Sequence, residues 1–116
     1  MKTCINYFLL LPFLLFSGNS FSQEKKKTET ITIMTSGQCE QCKERMEKAL
    51  AFTKGVKKSD FDVNTKIITV VYKPAKTSPE KIREAISKVG YDADSVVADA
   101  KAYELLPPCC KKDGHK

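Results

Sequence analysis

Two of the five cysteines, Cys39 and Cys42, are separated by two residues. An alternating apolar run before them predicts a β-strand and the apolar spacing after them predicts a helix, so both thiols are expected at a loop-to-helix junction. The backbone N–H groups and the dipole at a helix start favour the thiolate form. A thiolate either binds a soft metal ion or attacks a disulfide, and this spacing lets two sulfurs converge on Cu(I), Zn(II) or Hg(II).

A second pair, Cys109 and Cys110, follows Pro107-Pro108 near the C-terminus, and His115 lies beyond it. All three are candidates for additional metal ligands. The alternative for the cysteines is a structural or redox disulfide, because the four cysteines other than Cys4 would allow three pairings in an exported protein. The cysteine count does not separate these readings. A lone histidine at a chain end is ordinarily a solvated polar residue, so His115 is the weaker candidate.

Residues 1–22 predict a secretory signal peptide. Lys2 precedes a mostly apolar stretch at residues 5–16, and Ser20-Phe21-Ser22 is a small-x-small cleavage pattern. The apolar stretch is shorter than the roughly 20 residues that a transmembrane helix needs. We therefore expect an exported protein that loses Cys4 with the signal peptide and has no stable membrane insertion afterwards. It would be periplasmic in a Gram-negative source.

The charge pattern argues against nucleic acid as a partner. Removing Lys2 with the signal lowers the formal net charge from +6 to +5. A basic linker is predicted at residues 23–29, and the remaining lysines are dispersed among glutamates. Nucleic-acid-binding surfaces usually carry aromatic residues interleaved with a basic stripe, and this sequence has no such arrangement.

The remaining chain alternates between strand and helix patterns. In order, the predicted elements are a strand at 30–34, a helix from Cys42 to Gly55, a hairpin of strands at 56–63 and 67–72, a helix from Ser78 to Gly90 and a short strand at 91–97. This βαββαβ order predicts an α+β, ferredoxin-like sandwich with two helices on one face of an antiparallel sheet. Residues 98–116 form a tail in which Asp99 begins a short helix at 100–106.

The C-x-x-C motif is followed at helical spacing by Met46, Ala49 and Leu50. The segments at residues 55–56, 70–74 and 85–91 extend this pattern. Over residues 30–97 the chain resembles the heavy-metal-associated domain family of copper chaperones, metal-ATPase modules and periplasmic mercury-scavenging proteins. The resemblance implies that Cys39 and Cys42 bind a soft metal ion and that Tyr91 lies beside them.

Two departures from the family pattern lie near the site. The usual Gly-Met-x-Cys loop is replaced by Ser36-Gly37-Gln38-Cys39, and Ile33 lies six residues before Cys39 instead of the usual five. An extra loop residue or a bulge is therefore expected. We expect Gly37, Gln38 and Lys43, together with Tyr91, to surround the thiols without binding the ion.

The sequence thus predicts a non-enzymatic exported carrier that captures a thiophilic ion, with Cu(I) first and Hg(II) or Zn(II) as alternatives. The resemblance implies delivery to a metal-transporting ATPase, an efflux component or another metal-binding protein. A monomer and a metal-bridged dimer are both compatible with the sequence.

The competing hypotheses are a thiol-disulfide oxidoreductase and a structural disulfide module. The motif lacks the aromatic residue before the first cysteine and the proline between the cysteines that are usual in thioredoxin-like sites. We also expect the tail to fold back, so that Cys109 or Cys110 adds a further sulfur.

Overall fold

The computed structural model describes residues 27–112 of the chain. The predicted signal peptide, most of the predicted linker and His115 lie outside the described residues. The elements are β1 (Glu29–Met34), α1 (Glu40–Ala51), β2 (Val56–Asp62), β3 (Ile67–Tyr72), α2 (Pro79–Lys88), α3 (Ala100–Glu104) and a 3₁₀ turn (Pro108–Cys110). No helix in this part of the chain is both long and apolar enough to cross a membrane.

The three strands form one antiparallel sheet in the order β1-β3-β2. The β1–β3 register is regular from Glu29 opposite Tyr72 to Met34 opposite Ile67. The extra residue expected before Cys39 therefore lies in the loop after β1. A register irregularity does occur on the other edge of the sheet, between Val56 and Lys58 of β2.

The core lies between the helices and one face of the sheet. In β3 every second residue is buried, which is the period of a strand with one solvated face. In α1 the buried residues are spaced by four, so one stripe of that helix faces the sheet. Ser78 is the N-cap of helix α2, and its hydroxyl accepts the Lys81 N–H; the helix ends before Gly90, which has φ +105°. The buried apolar residues of these elements are Ile33, Cys42, Met46, Leu50, Phe61, Ile68, Val70, Tyr72, Ile82 and Ile86.

The expected ferredoxin-like α+β fold is confirmed, but the last predicted strand is not formed among the described residues. Ala93 makes only isolated bridges, one to Thr35 at the end of β1 and one to Val96. The chain reverses between Ala93 and Val96, whose N–H and C=O groups bond reciprocally at 2.9 Å, and Asp94 takes a left-handed φ of +54°. This tight turn stops the segment from extending along β1. The prediction of a fourth strand at residues 91–97 is therefore wrong, and an isolated bridge from Ala93 to Thr35 joins this segment to the end of β1.

The C-terminal tail packs back onto the domain. The Asp99 carboxylate accepts the Ala102 N–H at the start of α3, and the Asp99 N–H donates to the Ser87 carbonyl. Helix α3 is two residues shorter than predicted. Its end tightens into i to i+3 bonds, and the residue before Pro107 is disfavoured in helical conformation. Leu106 is 6% exposed, whereas Leu105 is 82% exposed.

Candidate metal centre

The two motif cysteines differ in their positions on α1. Cys39 is the N-cap residue, with an extended backbone (φ −151°, ψ −176°), and is half-buried. Cys42 lies in the first turn and is fully buried. Their Sγ atoms are 3.6 Å apart, well beyond the roughly 2.05 Å of a disulfide bond. Two thiols therefore meet at the start of the helix. The Cys39 thiol is partly accessible to solvent, and the Cys42 thiol lies in the core.

Cys110 adds a third sulfur to this pair. The Sγ atoms of Cys39, Cys42 and Cys110 all lie within 4.8 Å of one another. Three sulfurs around a central ion at a metal–sulfur distance of about 2.3 Å would be separated by about 4 Å. The cluster therefore has the dimensions of a trigonal thiolate site. Cys110 is 1% exposed and comes from the 3₁₀ turn after Pro107.

Cys109 lies at the rim of the cluster. Its carbonyl oxygen is 3.6 Å from the Cys39 Sγ, and its own Sγ is 3.9 Å from that of Cys110. The half-exposed Cys109 is thus distinct from its buried neighbour. The structure brings Cys110 into the three-sulfur group and leaves the Cys109 sulfur at its edge.

The two motif thiols have opposite protonation preferences. Burial disfavours the Cys39 thiolate, but the backbone N–H and thiol of Cys42 and the N–H of Gln41 outweigh it and lower the pKa of Cys39 to about 6. Burial raises the pKa of Cys42 to about 11. Burial also raises the pKa of Cys110 above its usual range. At neutral pH the site therefore presents one thiolate and keeps two protonated thiols behind it.

Tyr91 lies beside the buried thiols, as the resemblance implied. The residue is 0% exposed, and among residues 27–112 its hydroxyl has no nitrogen or oxygen partner. Burial and the adjacent Cys110 and Cys42 thiols raise the pKa of Tyr91, so the hydroxyl remains protonated. A buried O–H without a conventional acceptor is costly, and here it faces sulfur.

The other three residues expected around the thiols have different surroundings. Gln38 contributes its backbone N–H, which favours the Cys42 thiolate. Gly37 packs against the core, because a Cβ there would be 2.6 Å from the Met46 Cε atom. Lys43 is engaged elsewhere: its Nζ atom lies 2.7 Å from Glu47 and 2.9 Å from Asp60, and these carboxylates raise its pKa. The structure thus gives Lys43 an ion-pair role between α1 and β2.

Asp92 was not singled out from the sequence, yet it joins the metal-site loop to the tail. Its N–H donates to the Ser36 hydroxyl at 2.9 Å, and its carboxylate accepts the Ala98 N–H and pairs with the Lys112 ammonium at 2.9 Å. The Lys112 N–H also donates to the Tyr103 hydroxyl. No local pattern marks an aspartate for this role, because its partners are up to 56 residues away.

Comparison with known proteins identifies the family. The model of the heavy-metal-associated domain matches residues 30–92. The chain belongs to this family. It is 32% identical over 65 residues to the copper chaperone CopZ of Staphylococcus epidermidis, covering 56% of this chain and 96% of the relative. It is 34% identical over 65 residues to the periplasmic component of the mercuric transport protein of Pseudomonas aeruginosa, covering 55% and 71%.

Larger relatives and solved structures share the same heavy-metal-associated region. A copper-exporting P-type ATPase of Staphylococcus saprophyticus is 38% identical over 55 residues, but the match spans 7% of that protein's length. The crystal structure of oxidized MerP from Ralstonia metallidurans aligns with a TM-score of 0.55 at 32% identity, covering 58% of this chain and 94% of that one. The family match ends at residue 92, so Cys109 and Cys110 of this heavy-metal-associated protein lie beyond it.

Proposed function

We propose that this protein is a non-enzymatic carrier that captures Cu(I) through Cys39 and Cys42 and passes it to a partner protein. The observation that carries the proposal is the pair of sulfurs 3.6 Å apart at the start of α1. Thiolate is a soft ligand that selects Cu(I) over the hard cations of biological fluids. Among the named relatives, one is a copper chaperone, one a copper-exporting ATPase and one a mercuric transport protein, so Hg(II) is an alternative cargo. Zn(II) is another alternative, because thiolates also bind it.

Capture begins at the half-exposed thiol. Cys39 is largely thiolate at neutral pH and forms the first bond to an arriving ion. Cys42 then binds from the core side, and its proton is released to water because only the thiolate is a good ligand. While the ion is absent, the backbone N–H groups at the helix start stabilise the negative charge of the Cys39 sulfur.

Release follows by ligand exchange. A thiolate of the partner adds to the ion as one metal–sulfur bond to this protein breaks, so the ion is never bare and its oxidation state does not change. We propose a metal-transporting ATPase, an efflux component or another thiol-bearing metal protein as the partner, and an exported location for the exchange. The half-exposed Cys39 is the sulfur that such a partner can approach.

Competition against a chromophoric Cu(I) chelator tests the proposal. The reduced mature chain should withdraw one equivalent of Cu(I), and the double variant Cys39→Ser with Cys42→Ser should lose that ability. Cys109→Ser is the matched control, because it removes a thiol from the rim while leaving the three-sulfur group intact. Equal Cu(I) affinity in the double variant and the parent would refute the proposal.

A thiol-disulfide oxidoreductase is the second candidate. Its supporting observation is a lowered Cys39 pKa next to a buried thiol at 3.6 Å, an arrangement that also suits a nucleophilic and a resolving cysteine. If the carrier function is correct, insulin disulfides should be reduced at the rate of the reductant alone. Catalysis near that of thioredoxin, and dependent on Cys39, would favour the oxidoreductase instead.

A further inference from the structure

The tail is attached to the domain at several points on either side of Cys110. Leu106 is buried against Gly90, where an added Cβ would be 3.1 Å from its Cγ atom. On the far side, the Lys112 ammonium pairs with the Asp92 carboxylate at 2.9 Å. Pro107 and Pro108 restrict the chain between these anchors. The position of the Cys110 sulfur is therefore set by packing on both sides and does not depend on the short helix α3 alone.

We infer that Cys110 is a third ligand to the captured ion and that the Tyr91 hydroxyl donates a hydrogen bond to the bound sulfurs. This inference rests on the proposed function. The three Sγ atoms within 4.8 Å of one another supply the ligand set. A soft ion held by three thiolates is the class of cargo that this geometry selects, which suits Cu(I) and Hg(II) and leaves Zn(II) one ligand short of its usual four.

Tyr91 provides independent support for a buried sulfur anion. Its hydroxyl is fully buried beside Cys42 and Cys110 and has no nitrogen or oxygen partner in the part of the chain that the structure describes. A neutral thiol is a weak acceptor, whereas a metal-bound thiolate accepts a charge-assisted hydrogen bond. When the ion binds, the Cys42 and Cys110 thiols lose their protons to water, and the weak sulfur acceptors beside the Tyr91 O–H become charged ones. Tyr91 acts as a positioning residue, because it reaches the ion only through the sulfurs.

The third ligand changes how the ion leaves. With Cys39 and Cys42 alone, a partner thiolate could add directly to a two-coordinate ion. With Cys110 bound, the ion already has three sulfur ligands, and the partner must displace them one after another. Cys110 is carried by the tail and not by α1, so its displacement leaves Cys39 and Cys42 on the ion. The tail therefore raises retention of the ion and slows its transfer.

X-ray absorption on mature protein loaded with one equivalent of Cu(I) tests the ligand count. We expect three sulfur neighbours in the parent and in Cys109→Ser, and two in Cys110→Ser. The serine is nearly isosteric, and Cys109 is the adjacent residue in the same turn, so the two variants form a matched pair. Two sulfurs in all three proteins would overturn the inference and leave the two-cysteine carrier intact. Loss of a neighbour in Cys109→Ser but not in Cys110→Ser would also overturn it. Failure of the parent to retain Cu(I) would overturn both proposals.

Tyr91→Phe tests the hydrogen bond. We expect Cu(I) affinity to fall roughly tenfold to a hundredfold, as for other residues that orient metal ligands, while the three-sulfur count remains. The thiolate-to-metal charge-transfer band of Hg(II)-loaded protein should shift, because the hydrogen bond lowers the energy of the sulfur lone pairs. Tyr72→Phe is the control, since it removes a hydroxyl that bonds to Glu29 away from the site. An unchanged band and affinity in Tyr91→Phe would overturn this part of the inference.

Discussion

Replacing Leu106 by alanine should release the tail while the domain stays folded. Leu106 is 6% exposed and packs at the end of α2, where the Leu106 Cγ lies 3.1 Å from the position of a Cβ on Gly90. Helix α3 has five residues and buries none of them fully, so it has little stability of its own. The burial of Leu106 therefore contributes much of the free energy that docks the tail. Its loss should weaken tail docking before it destabilises the domain.

The expected size of the effect follows from burial. Truncation of a buried leucine to alanine costs roughly 2–4 kcal/mol when the site collapses only in part. If that cost falls on tail docking, the population of the undocked tail rises roughly 30- to 1,000-fold. Leu105 provides a matched control, because it is the neighbouring residue and is 82% exposed. Leu105→Ala should change the docking free energy by no more than about 0.5 kcal/mol.

Alkylation of Cys110 in the reduced, metal-free protein measures tail opening. The thiol is 1% exposed, so reagent reaches it only when the tail undocks. Mass spectrometry of a time course should show Cys110 modified roughly 30- to 1,000-fold faster in Leu106→Ala than in the parent, and about equally in Leu105→Ala and the parent. A urea melt of each protein checks that the domain remains folded. Equal Cys110 rates in the two leucine variants would refute the reasoning that Leu106 docks the tail.

Two further outcomes test the site and the loop that precedes it. Iodoacetamide labelling of the half-buried Cys39 should titrate with a midpoint near pH 6, because hydrogen bonds from Cys42 and Gln41 stabilise its thiolate as the pH falls. A Cys39 midpoint near the ordinary value of about 8.5 would contradict this. Gly37→Ala should lower the free energy of unfolding by about 1–3 kcal/mol, because its Cβ would lie 2.6 Å from Met46 and 2.8 Å from Phe61. Unchanged urea stability would show that the core gives way freely.

The spacing of apolar residues and the residues typical of helix ends predicted most of the fold. Apolar spacing located β1, α1, the hairpin and α2 to within a few residues, and Ser78 and Gly90 marked the ends of α2. The failure at residues 91–97 has a local cause that apolar spacing does not report. The left-handed turn at Asp94 reverses the chain. The Asp94 carboxylate accepts the Met34 N–H and pairs with Arg83. These contacts come from distant elements, so they could not be read from the segment itself.

The sequence by itself determined that two thiols stand at a helix start, because the C-x-x-C spacing and the switch from period two to a helical period are local properties. Only the tertiary structure distinguished Cys110 from Cys109. Adjacent cysteines are equivalent as letters, and the 3₁₀ turn buries one sulfur beside Cys42 while leaving the other at the rim. The structure likewise gave Lys43 carboxylate partners from α1 and β2 and brought the Tyr91 hydroxyl to the buried sulfurs. Each of these outcomes depends on which elements pack together. That packing is set by the burial of apolar side chains that are distant in the sequence, so no local pattern reports it.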